Sequence, residues 1–199
     1  MNRFIIGLLV LTLLSCSQKE KLLGETAWQK KMNADFKDAS KSPLKKKDLK
    51  NFKSLDFFPF DSSYVVRANL VRTPDSEWFN MKTSTGDVTV ERIYGVLHFN
   101  LNGEPFQLNV YEGQESMQMG RFNKYLFLPF LDDTNGNTTY AGGRYINLQI
   151  PDSNNITINF NMAYSPYCDY NEKYSCPIVP RVNYLPTEVK AGVKAYKKN

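Results

Sequence analysis

Two cysteines in one tyrosine-rich segment are the residues of this sequence best suited to chemistry. Cys168 and Cys176 lie within residues 164–177, which also contain four tyrosines and two prolines. A catalytic redox pair usually has the spacing C-x-x-C, and a structural zinc site needs four ligands. Here two cysteines are separated by seven residues, with no histidine nearby. The pattern favours a structural disulfide, with buried reduced cysteines and an active thiol site as the alternatives.

A second group of polar residues follows a pair of glycines. Arg144 comes directly after this pair, which lets the backbone approach its neighbours closely. The Arg144 guanidinium can form an ion pair with Asp132 or Asp133, or it can bind an anionic ligand. The segment 132–137 resembles a calcium loop only superficially, because it lacks the bidentate glutamate of such loops. We predict no metal ion and no cofactor.

The N-terminal residues have the pattern of an export signal. Arg3 supplies a positive charge, and residues 4–14 form an apolar run. That run is too short for a permanent membrane-spanning helix, which needs roughly 20 residues. It ends in Leu13-Leu14-Ser15-Cys16, which resembles the bacterial lipobox, in which the cysteine is acylated. An ordinary cleaved signal peptide with an incidental cysteine is the alternative.

The lipobox pattern predicts a lipid-anchored protein. Residues 1–15 are expected to be a signal peptide, Cys16 to carry the lipid, and residues 16–24 to be a tether. The predicted partner is therefore a membrane, contacted through lipidated Cys16. The predicted location is the cell envelope, at the outer membrane if the bacterium is Gram-negative.

The positive charge of the chain is concentrated close to this predicted anchor. Residues 19–53 contain eleven lysines and five acidic residues, whereas the whole chain has a net charge of +5. The lysines favour either contact with anionic lipid head groups or a solvated helix face. Nucleic-acid binding is not predicted, because it requires basic residues on the folded domain itself.

Helices are predicted at both ends of one domain that spans residues 25–199. Thr26 can cap a first helix, and Ser42 followed by Pro43 marks the start of a second, so both fall within residues 25–53. The apolar face of the first helix would consist of Trp28, Met32 and Phe36. Residues 186–197 are predicted to form a C-terminal helix, whose apolar side would consist of Val189, Val193 and Tyr196.

The middle of the chain has the alternating pattern of β-strands. Asn102-Gly103 is the signature of a type I′ hairpin turn, and its register would pair Phe99 with Phe106 and Tyr94 with Tyr111. The same register puts the single histidine of the chain on the more polar face of its strand.

A second hairpin is expected around residues 151–155, where two alternating apolar runs meet. Short strands joined by turns and flanked by helices are typical of a mainly β protein. We expect a single antiparallel β-sandwich or a partly closed barrel.

Several motifs in the same order resemble one protein family. They are Phe58-Pro59-Phe60-Asp61, Thr83-Ser84-Thr85-Gly86, Arg92-Ile93-Tyr94-Gly95, Leu128-Pro129-Phe130, Gly143-Arg144-Tyr145, Pro166-Tyr167-Cys168 and Cys176-Pro177 with Asn183. They are similar to those of domain of unknown function 1684, a family of uncharacterised bacterial and archaeal proteins that are often lipoproteins. The resemblance spans nearly all of the predicted mature chain and implies no established activity.

The chain also departs from that family pattern. The family has acids at the positions of Thr138 and Asn147, an asparagine at that of Ser165 and a glutamate at that of Val182. If those acids served catalysis or metal binding, this chain has lost them. The departures favour a binding or structural role over an enzymatic one.

Three functions remain open from the sequence. The first is a non-catalytic binding module for a small-molecule, glycan or peptide ligand. The second is a hydrolase-like envelope enzyme with a polar site around Asp132, Tyr140 and Arg144, and the third is a purely structural lipoprotein. The candidate ligand-binding residues are Asp132, Tyr140, Arg144, Tyr167, Asn171 and Asn183.

Overall fold

Alternating apolar residues form eight strands in the part of the chain that the structure describes. The structure is a computed structural model that describes residues 26–114 and 125–196. The predicted signal peptide, the predicted lipidation site Cys16 and the tether lie outside these ranges. The strands are β1 Val65–Arg72, β2 Phe79–Lys82, β3 Val88–Leu101, β4 Glu104–Gly113, β5 Tyr125–Asp132, β6 Arg144–Gln149, β7 Asn155–Asn159 and β8 Tyr184–Leu185.

These strands form one sheet with a six-strand main path in the order β6-β5-β4-β3-β1-β7. Strand β2 pairs with β3, and β8 pairs with β5. All pairings are antiparallel except the short one between β5 and β8. The sheet curls into a half-barrel, so the prediction of a mainly β, partly closed barrel is confirmed.

The hairpin of β3 and β4 forms at the predicted turn. Asn102 and Gly103 have φ angles of 55° and 92°, both in the left-handed region that a type I′ turn requires. Phe99 pairs with Phe106, as predicted. His98 is exposed on the outer face, also as predicted.

The register of this hairpin shifts farther from the turn. The predicted pairing of Tyr94 with Tyr111 is wrong, because the register slips between Ile93 and Gly95 and Ile93 faces Tyr111 instead. A Cβ atom on Gly95 would lie 2.6 Å from the Val71 carbonyl oxygen. The glycine therefore allows β1 to approach β3 closely. The register slip beside it is a β-bulge, and a β-bulge bends its strand.

The predicted second hairpin is wrong. Strand β6 pairs with β5 and strand β7 pairs with β1, so the two strands lie at opposite ends of the sheet. Residues 151–155 connect these two edges rather than forming a tight turn. Alternation identified both strands correctly, but it indicates only which face is buried and not which strand is the partner.

The first predicted helix is confirmed as α1, Ala27–Lys37. Thr26 caps it in a capping box: the Gln29 amide donates to the Thr26 hydroxyl at 3.2 Å, and the Thr26 amide donates to the Gln29 side chain at 2.7 Å. Phe36 is buried, so the apolar face of α1 packs against the domain.

The second predicted helix is shorter than expected and begins later. Helix α2 spans Lys46–Leu49, and its N-cap is Lys45 rather than Ser42. The Ser42 hydroxyl accepts a hydrogen bond from the Leu44 amide at 3.3 Å, which closes a local turn instead of starting a helix. Leu44 is buried, so its packing determines the path of the chain here.

The predicted C-terminal helix is wrong. Gly192 has a φ of 80°, which an α-helix does not allow. The amides of Val193 and Lys194 donate to the carbonyls of Ala163 and Asp56, each at 2.9 Å. The backbone donors of residues 193–195 are thus used by other segments, and no helix lies within residues 186–196. The apolar spacing that predicted a helix instead anchors an irregular segment.

Two clusters of buried apolar side chains hold these elements together. The larger one lies inside the curled sheet and includes Leu97, Leu108, Leu128 and Ile158. The smaller one joins α1 to the C-terminal segment and to a one-turn helix, α3, Tyr167–Tyr170. No helix in the described ranges is long and apolar enough to cross a bilayer.

Candidate functional site

A cavity with five aromatic residues among the thirteen that line it lies between α1, β6 and the segment 164–177. Its volume is about 430 Å³. We call this cavity the aromatic groove. Its lining residues are Trp28, Met32, Tyr145, Ile146, Asn147, Met162, Tyr164, Pro166, Tyr167, Tyr174, Ser175, Cys176 and Pro177.

Backbone pairing holds one wall of the aromatic groove against the sheet. Tyr145 and Tyr164 exchange two backbone hydrogen bonds, at 2.9 and 3.0 Å, and their rings meet edge to face. The Tyr145 hydroxyl also donates a hydrogen bond to the Pro177 carbonyl. The opposite wall comes from α1, whose Trp28 packs edge-on against Phe57 at 5.9 Å.

The turn between β2 and β3 fixes the segment that carries Cys176. Ser84 donates its amide to the Cys176 carbonyl at 2.9 Å, and the Ser84 hydroxyl accepts from the Cys176 amide at 3.1 Å. The Ser175 hydroxyl donates to the Thr83 hydroxyl at 2.8 Å. The Thr83-Ser84-Thr85-Gly86 motif therefore has a structural task, which is to hold this wall.

A smaller cavity of about 260 Å³ extends the aromatic groove along the sheet. Four residues line both cavities, so together they form one continuous surface: Tyr145, Asn147, Tyr164 and Pro177. The extension adds Phe127 and the buried Glu91. Asn147 accepts a hydrogen bond from the Tyr164 hydroxyl at 2.9 Å.

The described lining of the aromatic groove itself contains no acidic or basic side chain: none of its residues is Asp, Glu, Lys or Arg. Burial raises the pKa values of the Tyr145, Tyr164 and Tyr167 hydroxyls, so these groups stay protonated at neutral pH. Such a surface favours an uncharged ligand, or an uncharged part of one, that offers flat apolar faces and a few hydrogen-bonding groups.

The two cysteines lie side by side, and Cys176 lines the aromatic groove. Both are free thiols, so the predicted disulfide is not present in this structure. The Cys168 amide donates to the Cys176 sulfur at 3.2 Å, which places that sulfur against the Cys168 main chain as a hydrogen-bond acceptor. Cys176 is buried, whereas Cys168 is half-buried.

Tyr140 faces the more exposed thiol. Its hydroxyl oxygen lies 3.9 Å from the Cys168 sulfur. Burial and the nearby Cys168 raise the pKa of Tyr140 to about 12, so this phenol is a donor at neutral pH. A Cβ atom on Gly142 would lie 2.5 Å from the Tyr140 ring, so the glycine leaves room for the ring to fold over the backbone.

The hydrogen bonds around Cys168 favour its thiolate. Hydrogen bonds with Cys176, Ser84 and Tyr140, of which the bond with Cys176 has the largest effect, together lower the pKa of Cys168 to about 6 against the opposing effect of burial. The hydrogen bond with Cys168 and burial raise the pKa of Cys176.

Arg144 and Asp132 form a buried ion pair instead of an open polar site. Both side chains are 0% exposed, and their closest atoms are 2.5 Å apart. Arg144 also donates to the carbonyls of Val189, at 2.8 Å, and Ala191, and it lies over the Phe130 ring. Of the alternatives raised by the sequence, the geometry matches the structural ion pair, which joins β5 and β6 to the C-terminal segment.

Asn183 also has a structural position. Its side-chain amide donates to the carbonyls of Asn109 and Pro129, at 2.8 and 2.7 Å, and its oxygen accepts from the Asn109 amide at 3.0 Å. Tyr111 pairs with Phe127, a register that puts Asn109 opposite Pro129. Because Pro129 has no N–H group, Asn183 supplies the donor that the β4–β5 ladder lacks.

The structure thus divides the six candidate residues into two groups. Tyr140 lies beside the thiol pair, and Tyr167 lines the aromatic groove. The other four are buried: Asp132, Asn171, Arg144 and Asn183. Trp28, Tyr145, Tyr164 and Tyr174 also line the groove but are not among the six candidates. The density of aromatic residues in segment 164–177 is a signal for Tyr164 and Tyr174 alone.

A shallower depression of about 500 Å³ lies elsewhere, on the outer face of the sheet over Arg67 and His98. Both side chains are exposed, and five of the nine residues that line this depression are Arg, His or Asn, so it is the more polar of the two surfaces.

Comparison with known proteins places the chain in a family. The family described as protein of unknown function (DUF1684) matches residues 50–194. The chain belongs to this family. The resemblance seen in the sequence motifs is thereby confirmed.

One solved structure is similar over most of the chain. It is the solution NMR structure of an uncharacterized protein of Haloarcula marismortui, with 30% sequence identity and a TM-score of 0.64. The match covers 83% of this chain and 89% of that protein. No curated protein matches the chain.

Proposed function

We propose that this member of DUF1684 is a lipid-anchored protein of the cell envelope that binds a ligand without catalysing a reaction. The export signal, the lipidation of Cys16 and the membrane as partner are all parts of this proposal. The ligand is an uncharged small molecule, or an uncharged portion of a glycan or peptide, held in the aromatic groove.

The observation that carries the proposal is the aromatic groove itself, whose described lining contains no acidic or basic side chain. Its volume of about 430 Å³ lies in the range of small-molecule sites, which are mostly apolar with a few polar groups that orient the ligand. Asn147 and Ser175 supply such groups, and Tyr167 is 44% exposed, so its ring is accessible.

The polar residues considered for catalysis support a binding role. A general acid or base must reach the substrate within hydrogen-bond distance. Asp132 and Arg144 are fully buried and bonded to each other, so they are not placed to touch a ligand in the groove.

The anchor is tested by expressing the full chain and a Cys16→Ser variant in a bacterial host. We expect the unmodified chain to partition into the detergent phase and its Cys16 peptide to carry acyl chains in mass spectra, whereas the variant does neither. An unmodified Cys16 peptide would contradict the anchor without bearing on the groove.

The groove is tested with a fragment library screened by protein-observed NMR, which locates binding surfaces without knowledge of the natural ligand. The library includes sugars, aromatic compounds and capped dipeptides. We expect saturable shifts at Trp28, Tyr145 and Asn147. The matched variants are Tyr167→Ala, inside the groove, and Tyr184→Ala, a similarly exposed tyrosine outside it.

Loss of the shifts in Tyr167→Ala but not in Tyr184→Ala supports the binding site. Fragments that cause the same shifts in Tyr167→Ala, or that cause shifts only outside the groove, would contradict it.

A further inference from the structure

We propose that Cys168 and Cys176 form a reversible dithiol–disulfide couple that exchanges with low-molecular-weight disulfides at the wall of the aromatic groove. This activity goes beyond ligand binding and does not depend on it. The structure shows the dithiol form of the couple.

The first argument is the distance between the two residues. The Cys176 sulfur lies 3.2 Å from the Cys168 backbone nitrogen, so the sulfur is already beside the residue to which it would bond. The residues between the two cysteines form two consecutive turns. The Asn171 amide donates to the Tyr167 carbonyl at 3.0 Å, and the Tyr174 amide donates to the Asn171 carbonyl at 3.2 Å.

The second argument is the difference in accessibility between the two thiols. Cys176 is 7% exposed, and both its amide and its carbonyl are bonded to Ser84. Cys168 is more exposed and lies in the one-turn helix α3. An incoming disulfide therefore meets Cys168 first, and Cys176 is held where it can resolve the product.

The third argument is the hydrogen-bond donor beside the Cys168 sulfur. Tyr140 presents its hydroxyl to the Cys168 sulfur at 3.9 Å, and that hydroxyl keeps its proton at neutral pH. The thiolate, not the thiol, is the attacking species in exchange. Groups that stabilise a thiolate also stabilise the reduced form of the couple, which makes the corresponding disulfide easier to reduce.

The reaction proceeds in two balanced steps. The Cys168 thiolate attacks one sulfur of the external disulfide, the external S–S bond breaks, and one external thiolate leaves. The Cys176 thiol then transfers its proton to solvent or to the released thiolate and attacks the Cys168 sulfur. The second external thiolate leaves, so the two cysteines are oxidised to a disulfide and the external disulfide is reduced to two thiols.

The couple is built into the groove wall. Tyr167 precedes Cys168 directly, Tyr174 and Ser175 precede Cys176, and all three side chains line the aromatic groove. The bond between the two cysteines would close the loop that carries Tyr174 and Ser175, so the redox state acts on the surface that faces a ligand.

The first experiment equilibrates the full-length protein in glutathione redox buffers. Samples are quenched with acid, alkylated and mapped by peptide mass spectrometry, so that Cys16 is scored separately. We expect the Cys168–Cys176 disulfide fraction to rise and fall reversibly with the buffer ratio. A pair that stays oxidised in the most reducing buffer, or that never closes in the most oxidising one, would overturn the proposal.

Two single-cysteine variants assign the roles. Cys176→Ser is expected to accumulate a Cys168–glutathione mixed disulfide, because the resolving thiol is gone. Cys168→Ser is expected to react with glutathione disulfide at no more than about one tenth of the rate of Cys176→Ser, because burial slows the reaction of Cys176. Equal rates in the two variants would contradict the assigned order of attack.

The donor role of Tyr140 is tested by the pH dependence of iodoacetamide labelling at Cys168 in the reduced protein. We expect a midpoint near 6, compared with about 8.5 for an unperturbed cysteine. Tyr140→Phe should raise the midpoint, whereas Tyr184→Phe, which removes a distant tyrosine hydroxyl, should not. A midpoint near 8.5 in the unmodified protein would contradict the activated thiol. None of these measurements requires a groove ligand, so a failed fragment screen leaves them valid.

Discussion

The Asp132–Arg144 pair and the Cys168–Tyr140 pair were both candidates for chemistry, and the fold treats them in opposite ways. The ion pair is 0% exposed on both sides, and Arg144 also bonds two carbonyls of the C-terminal segment. The cysteine and the tyrosine are half-buried and meet at a long contact of 3.9 Å. The side chains of the ion pair are fully buried, whereas Cys168 and Tyr140 stay partly exposed, and Cys176 beside Cys168 lines the aromatic groove.

This difference separates residues that build the domain from residues that a ligand can reach. A buried charge must be paired, so breaking the ion pair is costly. The half-buried groups at the aromatic groove are less essential to stability and more open to other molecules. Variants of the sealed region should therefore change stability, and variants of the groove should change binding or reactivity.

The largest expected effect comes from Arg144→Met, which leaves the Asp132 carboxylate buried without its partner. We expect a loss of about 3–5 kcal/mol in the free energy of unfolding, measured by urea denaturation. The double variant Asp132→Leu with Arg144→Met removes both charges and should recover part of this loss. A loss below about 1 kcal/mol in the single variant would show that the pair is not structural.

A smaller loss is expected from Asn183→Ala. The substitution leaves the carbonyls of Asn109 and Pro129 without the donor that joins β4 to β5. We expect the free energy of unfolding to fall by about 1–3 kcal/mol. The neighbouring Val182→Ala is a matched control, because Val182 is 64% exposed and should change stability by about 0.5 kcal/mol or less. Equal effects in the two variants would contradict the role given to Asn183.

Ser84→Ala tests how the groove wall is attached. The Ser84 hydroxyl accepts from the Cys176 amide and donates to the Tyr174 carbonyl at 3.1 Å. We expect a loss of about 0.5–1.5 kcal/mol and faster hydrogen exchange at the Cys176 amide. Ser62→Ala, on an exposed 3-10 turn, serves as the control. Unchanged exchange at Cys176 would show that the wall does not depend on this motif.

The smallest effect on stability is expected from Tyr167→Ala, although its effect on binding should be the greatest. Tyr167 is 44% exposed, so its removal should cost about 1 kcal/mol or less in urea denaturation. Fragment binding in the groove should be lost. A variant that is strongly destabilised would place Tyr167 with the structural residues.

The sequence predicted the strands and one hairpin register because these depend on local signals. Asn102-Gly103 specifies its turn through two positive φ angles, and Thr26 specifies the start of α1 through a capping box. The pairing of β6 with β5, and of β7 with β1, depends on contacts between distant segments. Apolar alternation carries no information about such contacts.

The candidate site was less predictable for the same reason. The sequence predicted an ion pair of Arg144 with Asp132 or Asp133, or an anion site, and the structure shows the pair with Asp132. Trp28 and Tyr164 were not associated, since they are far apart in the chain and meet only when α1 packs beside β6. The C-terminal segment was mistaken for a helix because Val189 and Val193 have helical spacing yet lie in different clusters.

The most direct test of the account is the NMR map of fragment hits on the unmodified protein. Two cavities compete in this measurement: the aromatic groove, and a cavity of about 300 Å³ lined by Asp132, Arg181 and Tyr184 beside the buried ion pair. We predict that hits concentrate in the aromatic groove and disappear in Tyr167→Ala. Hits that concentrate beside Asp132 and disappear in Tyr184→Ala would contradict the account.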